Sequence, residues 1–324
     1  MSHPLQQLVE DFPDIGRIAA VMRKLRRDLG PDAINLINED GIRFRRLEDG
    51  TIEVMKAIRK FFDRHGRRRP TKGMQNSFTD ADYDSYNIVR PTLEAEEQWA
   101  KVFMKFAPFN PGLSFSVSDW HDQIQAIRGW IEGDAQIANL LRSPAFPILI
   151  PPMPKKRGDD QYDYGTELET LLPLVGGEYQ MAFPGRSFNN YRQGELAGQV
   201  MLVAESRQSE LQKRRENGVV PALWFPQALQ GFSVLADREQ MQTLPHPGRL
   251  ILGGAIEATM AMIGYTKELA FSSNTPLYDL AACQWRGPSG SLCFRASGDG
   301  LEFGGRISLV GAGSGCSGGI LVLG

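Results

Sequence analysis

The sequence predicts an α+β protein. A mainly helical, basic N-terminal region at 1–143 leads through a Pro-rich connector at 144–158 into a mixed α/β region at 159–324, which ends in an antiparallel β-meander. Three observations predict this. Apolar residues in the first part recur at three- and four-residue steps, the spacing of one helix face. Five prolines fall between positions 144 and 157, which excludes a helix and most strand pairing there. The last 50 residues break into short apolar runs separated by "GPSG", "SGDG" and "GSGCS", each a turn composition.

Taken in order, Ile15, Ile18, Val21, Met22, Leu25 and Leu29 make one helical stripe, with Asp14 as its cap and Gly30-Pro31 as its stop. "GIRFRRLEDGTIEV" reads as a hairpin turning at Asp49-Gly50, and "EVMKAIRKFFDRHG" as a second basic helix. "TLEAEEQWAKVFMKF" is a further helix, and Ser118 is the expected N-cap of one running from Asp119 to Arg142. Gly129 and Gly133 predict a kink or break in it. Within the connector, Ile148-Leu149-Ile150 fits an edge strand or a buried segment.

Beyond the connector the pattern predicts a helix at "TELETLLPLV", a strand at "EYQMAF" and a long helix over residues 194–217. Strands follow at "VPALWF" and "GFSVLA", then a short helix capped by Asp237. "RLILGG" enters an almost wholly apolar helix, "AIEATMAMIGYTKEL". The expected terminal strands are "LYDLAACQWR", "SLCFRAS", "LEFGG", "RISLVGA" and "GGILVLG".

Composition limits the function classes. A hydrophobic fraction of 42%, a charged fraction of 23% and a net charge of −2 describe an ordinary soluble, folded chain with no overall field towards nucleic acid or membrane. Glu257 and two glycines interrupt the most apolar segment, so no membrane span is expected. The N-terminus lacks the basic-then-apolar order of a signal peptide. Three cysteines, Cys283, Cys293 and Cys316, are too few and odd in number for a disulfide framework, so a cytoplasmic setting is expected. Charge is unevenly spread: residues 1–73 hold 16 basic against 11 acidic side chains, and the remainder 20 against 27.

Several motifs carry possible chemistry. Gly313, Gly315 and Gly318 match G-x-G-x-x-G, and Gly315, Ser317 and Gly319 match G-x-S-x-G. Both patterns need a following helix, and only a strand-like tail follows, so the expected role is architectural. "LILGGAIEATMAM" has the strand–glycine–helix order of an anion site at Gly253-Gly254, with Glu257 expected as a first-turn glutamate favoured by the helix dipole. Asp80, Asp82 and Asp84 alternate like the start of a calcium loop, but Ser85 and Pro91 stand where glycine and glutamate are required. His3, His65, His121 and His246 have no metal-ligand spacing. His121 beside Asp122 is a candidate base, and Cys283 and Cys293, equidistant from Pro288, a candidate hairpin pair.

The basic segment is the strongest of these signals. Arg64, Arg67, Arg68, Arg69 and Lys72 combine with Phe44, Phe61 and Phe62, and guanidinium groups beside aromatics suit phosphates and bases. The expectation is therefore a binding or scaffold protein that engages nucleic acid or an acidic protein partner through this face. The alternative is an enzyme with a small-molecule or nucleotide site at Gly253-Gly254. No nucleophile, base and oxyanion donor assemble from the sequence, which specifies neither cofactor nor oligomeric state.

Overall fold

The structure, a computed structural model, describes residues 88–110, 115–154, 162–306 and 308–324. Before residue 88 it describes 23, 24, 27, 42–46, 52–56, 60–71, 74, 76–78 and 86. The chain divides into two units, residues 1–61 and 62–324. In the first, β1 (Ile42–Arg46) and β2 (Ile52–Lys56) form the expected antiparallel hairpin, with Phe44 opposite Val54. Arg23, Lys24 and Arg27 are helical, as the stripe around them predicts.

The second unit is built on a mixed sheet with strand order β3-β6-β12-β8-β10-β11-β4, and β7 also pairs with β12. Its strands are β3 (Phe146–Ile150), β4 (Ser187–Asn190), β6 (Val220–Gln230), β7 (Leu250–Leu252), β8 (Leu277–Asp279), β10 (Ser291–Ala296), β11 (Gly300–Arg306) and β12 (Cys316–Leu323). Two further strands, β5 (Val200–Leu202) and β9 (Cys283–Trp285), pair separately. The helices are α1 (Glu96–Phe106), α2 (Val117–Gly133), α3 (Tyr164–Ala182), α4 (Gln208–Arg215), α5 (Val234–Thr243), α6 (Ala255–Gly264) and the single turn α7 (Thr266–Leu269). The α+β class holds, with helices ahead of a strand-rich C-terminal part. None of the described helices is long and apolar enough to cross a membrane.

Strand β6 is the spine. All eleven of its residues are buried, as expected of a central strand covered on both faces. The Pro-rich stretch supplies β3, whose five residues are buried and antiparallel to β6, Phe146 standing opposite Trp224. Helix α6 is buried along its whole length and packs against α3, α1 and β3. Trp120 of α2 is enclosed by Trp99 and Phe106 of α1, at centroid distances of 4.8 and 5.8 Å in edge-to-face contact.

Strand β12 carries the glycine motif. Residues 316–318 run parallel to β8 and residues 320–322 antiparallel to β7, while β6 lies along the other side. Gly319 sits at the irregularity between these partners, where the register against β6 shifts. Its carbonyl accepts the Gly253 N–H at 2.8 Å. A Cβ on Gly319 would lie 2.4 Å from Trp224 Nε1, and one on Gly253 would lie 3.0 Å from the same atom. The two glycine motifs are thus halves of one packing device around the Trp224 indole. The last segment is not a pure meander, because β12 enters the middle of the sheet.

Several elements differ from expectation for identifiable reasons. Residues 52–56 pair with β1, so no helix spans 53–66; a turn closes at Asp63–Arg67 instead, with a bridge between Phe62 and Arg68. Ser116, not Ser118, caps α2, its hydroxyl accepting the Asp119 N–H. Helix α3 continues through Pro173 and Gly176-Gly177 because Leu168, Leu171, Leu172, Val175 and Tyr179 keep one buried stripe, so 178–183 is no strand. The expected helix over 194–217 is broken, since Val200–Leu202 pairs with β9 and Arg207 takes φ 62°. The Arg207 guanidinium then donates to the Met241, Leu244, Pro245 and Leu250 carbonyls, closing the C-terminal end of α5. Ser233, rather than Asp237, caps α5, which replaces the expected strand at 231–236. Residues 308–312 are loop, with the Leu309 carbonyl tied to Leu235 N–H at 3.2 Å.

A buried ion pair fixes the second half of the connector. Arg215 of α4 bonds Glu167 of α3 with both side chains almost wholly buried, donates to the Pro151 carbonyl at 2.8 Å, and meets the Tyr162 hydroxyl at 3.2 Å. Two predictions follow from these contacts. Gly319→Ala is expected to lower unfolding free energy by about 1–3 kcal/mol through overpacking against Trp224. A cycle with Trp224→Phe in urea denaturation should show the two changes to be less than additive. Glu167→Ala should cost about 3–5 kcal/mol by leaving Arg215 buried without its carboxylate, and an unchanged denaturation midpoint would disprove that role.

Candidate functional site

The basic segment predicted from sequence is largely turned inwards. Arg67 and Arg68 are only 7% and 3% exposed. Arg67 pairs with Asp63 at 3.0 Å and stacks 3.8 Å over the Phe78 ring. The backbone N–H of Arg68 donates to Ala228 O at 2.7 Å, and its guanidinium bonds Thr243 Oγ1 and the Arg69 carbonyl. These residues moor the segment to the end of β6. Arg64 is exposed and Arg69 half-buried, while Lys72 lies outside the described residues.

At Gly253-Gly254 the chain itself fills the place an anion would take. The Gly254 N–H donates to Glu257 Oε2 at 3.1 Å and the Ile256 N–H to the Tyr164 hydroxyl at 2.9 Å. The Ala255 N–H between them reaches the Cys283 thiol. Gln208 Nε2 holds the other oxygen of Glu257 at 2.5 Å and the Leu252 carbonyl at 2.9 Å. Glu257 acts as the first-turn glutamate its position predicts. A Cβ on Gly254 would come within 2.8 Å of both Glu257 Oε2 and Tyr164 Oη, so glycine is required by packing alone. Burial pushes the Glu257 carboxyl up, the Tyr164 phenol well up, and the Cys283 thiol up to about 12. Tyr164 and Cys283 are therefore neutral hydrogen-bonding groups, and Glu257 accepts through both oxygens.

The other candidates are dispersed. His121 lies on α2, 3.5 Å from Asp122 and edge-on to Trp99. His246 joins Asp134 at 2.6 Å and packs edge-on to Trp130, fastening the loop before β7 to the end of α2. Cys283 faces the start of α6, whereas Cys293 lines a cleft on β10. His3 and Asp80, Asp82 and Asp84 lie outside the described residues. Among the described residues no group of three or more His, Cys, Asp or Glu is placed to hold a metal ion.

The cleft on the C-terminal strands brings together residues that the sequence scatters. It encloses about 420 Å³ and is lined by Tyr191 and Arg192 beyond β4, Cys293 and Arg295 on β10, and Glu302, Gly304 and Arg306 on β11. The register explains the grouping: Cys293 stands opposite Gly304 and Arg295 opposite Glu302, so alternate residues of both strands share this face. Gly304 leaves the floor open, since a Cβ there would meet nothing closer than Tyr191 at 3.9 Å. Gly305 admits Trp285, whose ring a Cβ would strike at 2.7 Å, and Arg192 stacks 4.3 Å over that ring. Glu195 pairs with both Arg192 and Arg286 at 3.2 Å.

Behind Arg306 lies a buried acid pair. Arg306 Nε sits 3.1 Å from Asp279 Oδ1, a charge contact without hydrogen-bond alignment. Its Nη2 donates to the Gly311 carbonyl at 3.1 Å and meets Cys316 Sγ at 3.2 Å. Asp237 of α5 is wholly buried, and neither carboxyl oxygen has a hydrogen-bond partner among the described residues. Room for it comes from Gly318, where a Cβ would lie 2.3 Å from Asp237 Oδ2. Gly318 is also the register partner of Asp279. Burial, then the nearby Asp279 charge, holds the Asp237 carboxyl well above its usual range. Burial pushes Asp279 up to about 6 against the opposing pull of Arg306. Of the two, Asp279 faces Arg306, while burial and the Asp279 charge both favour the protonated form of Asp237.

Sequence reasoning missed this cluster because Asp237 looked like a helix cap and Asp279 like one polar residue in a strand. The available signal was an acid inside the apolar run "LYDLAA", a buried strand position that carboxylates rarely fill unpaired. Comparison of the chain with protein families, curated proteins and solved structures finds no match.

The acid pair sets a pH dependence. Asp279 binds its proton more tightly folded than unfolded, where a carboxyl titrates near about 3.9. Its contribution is therefore fully present below about pH 4 and lost as pH rises through about 6. Subtracting the stability curve of Asp279→Asn from that of the unaltered protein should reveal this fall, about 3 kcal/mol across the interval. A flat difference curve in denaturation series from pH 4 to 7 would count against the buried placement.

Proposed function

We propose that the chain binds a small anionic ligand, one bearing phosphate, sulfate or several carboxylates, in the cleft on β10 and β11. The observation that carries this reading is the set of residues lining the cleft: three arginines, Arg192, Arg295 and Arg306, against one acid, Glu302, around an open glycine floor. Its volume lies in the range of small-molecule sites, and the arginine fork matches the geometry of oxyanions. Tyr191 and Ser308 add hydroxyl groups to the wall. Counting the charges behind the wall, Arg286 joins the cations, and Glu195 and Asp279 the carboxylates. The excess positive charge is modest, so affinity in the micromolar to millimolar range is expected.

This reading keeps the binding role expected from composition and moves it from the basic segment to the C-terminal sheet. The three cysteines are free thiols, which fits the reducing, cytoplasmic setting expected from their number. Titration calorimetry with sulfate and with pyrophosphate tests the proposal. Saturable binding is expected, weakened roughly tenfold or more in Arg192→Gln and Arg295→Gln, as loss of a charged hydrogen bond predicts. Absence of saturable heat with either anion, or binding indifferent to both substitutions, would refute it.

A further inference from the structure

We propose that Arg306 couples this cleft to the Asp237–Asp279 pair, so that capture of an anion draws a proton from solvent onto Asp279. The inference rests on the anion-binding reading of the cleft and adds its regulation. Arg306 belongs to both places: it lines the cleft, and its Nε lies 3.1 Å from Asp279 Oδ1. Its side chain is 21% exposed, whereas that of Asp279 is fully buried. The same guanidinium therefore faces solvent on one side and a desolvated carboxylate on the other.

Among the described residues Arg306 is the cation that acts on Asp279, and Arg295 of β10 reaches Cys293 instead. Asp237 and Arg238 approach from α5, Cys293 from β10 and Cys316 from β12. Arg238 is tied to the Ala281 and Cys283 carbonyls at 2.9 Å. Burial keeps both thiols neutral, Cys293 up to about 12 and Cys316 raised. Asp237 offers two buried oxygens without a hydrogen-bond partner among the described residues, in space that Gly318 leaves for it. Arg306 is thus the cation that offsets a negative charge on Asp279.

An anion on the outer face of Arg306 shares that positive charge. Asp279 then loses part of its compensation in a low-dielectric setting, where an unpaired carboxylate is costly. Its proton affinity rises, and a proton passes from buffer to a carboxylate oxygen of Asp279. Charge balances, because the anion brings negative charge into the site and the proton removes it. By linkage, anion affinity falls as pH rises through the range in which Asp279 titrates.

Sulfate is the probe of choice because it exchanges no proton between pH 5 and 8, so any proton taken up belongs to the protein. Calorimetric titrations near pH 6 in two buffers of different ionisation enthalpy give the protons bound per sulfate. The expected value is on the order of half a proton, shrinking towards pH 8. Asp279→Asn should bind sulfate with no buffer-dependent heat and more tightly at pH 7.5, its Arg306 being released from the buried charge. If that variant does not fold, Asp237→Asn keeps Asp279 and should keep the uptake. Saturable binding with equal heats in both buffers would overturn the coupling and leave the binding site standing. No saturable sulfate binding at any pH would overturn both.

Discussion

The middle of this protein depends on how closely β12 and the start of α6 approach the Trp224 indole. Gly319 and Gly253 meet through a backbone hydrogen bond, and the ring occupies the space where their side chains would be. That contact fixes three things together. It sets the depth at which β12 enters the sheet and the point where its partner changes from β8 to β7. It also sets the height at which α6 begins above β3 and β6. Interiors are packed too densely to absorb a methyl group at such a point without moving backbone.

One residue earlier on the same strand, the missing side chain serves polarity instead. Gly318 accommodates Asp237, and through it the sheet holds two acids that carry little hydrogen bonding of their own. This contrasts with the buried Arg215–Glu167 pair, where Tyr162 and the Pro151 carbonyl satisfy the remaining groups. A saturated pair of that kind stiffens the connector to α3 and α4. An unsaturated pair beside an accessible arginine responds to what that arginine meets. The difference between structural and responsive charge here lies in the surroundings, not in residue type.

Much of the fold was legible along the chain. The β1–β2 pairing, helices α1 and α2, the β7–glycine–α6 unit and the short C-terminal strands follow from local turn chemistry and periodicity. The failures have two causes. Residues 53–56 extend the local hairpin with β1 and Ser233 caps 234–236 as helix, local signals that outweighed the periodicity read there. Residues 200–202 took the state offered by a distant partner, β9, where tertiary context overrode propensity. The candidate site was far less legible. Arg67 and Arg68 looked like a phosphate-binding face but bury themselves against Phe78 and Thr243, a preference that charge counting cannot see. Gly253-Gly254 looked like an anion cradle, but Glu257 on its own helix already fills it.

By itself the sequence determined the class of fold, the places where the chain must turn, and the architectural character of its last glycine motif. These are set by backbone freedom and periodicity within some ten residues. Only the tertiary structure decided which charges are exposed and which are sealed. Arg192, Asp237, Asp279, Arg295 and Arg306 come from four strands or their ends and one helix, and become neighbours through strand register and the docking of α5 against Gly318. Register is a property of paired strands, and a one-residue slip would send every one of these strand side chains to the opposite face.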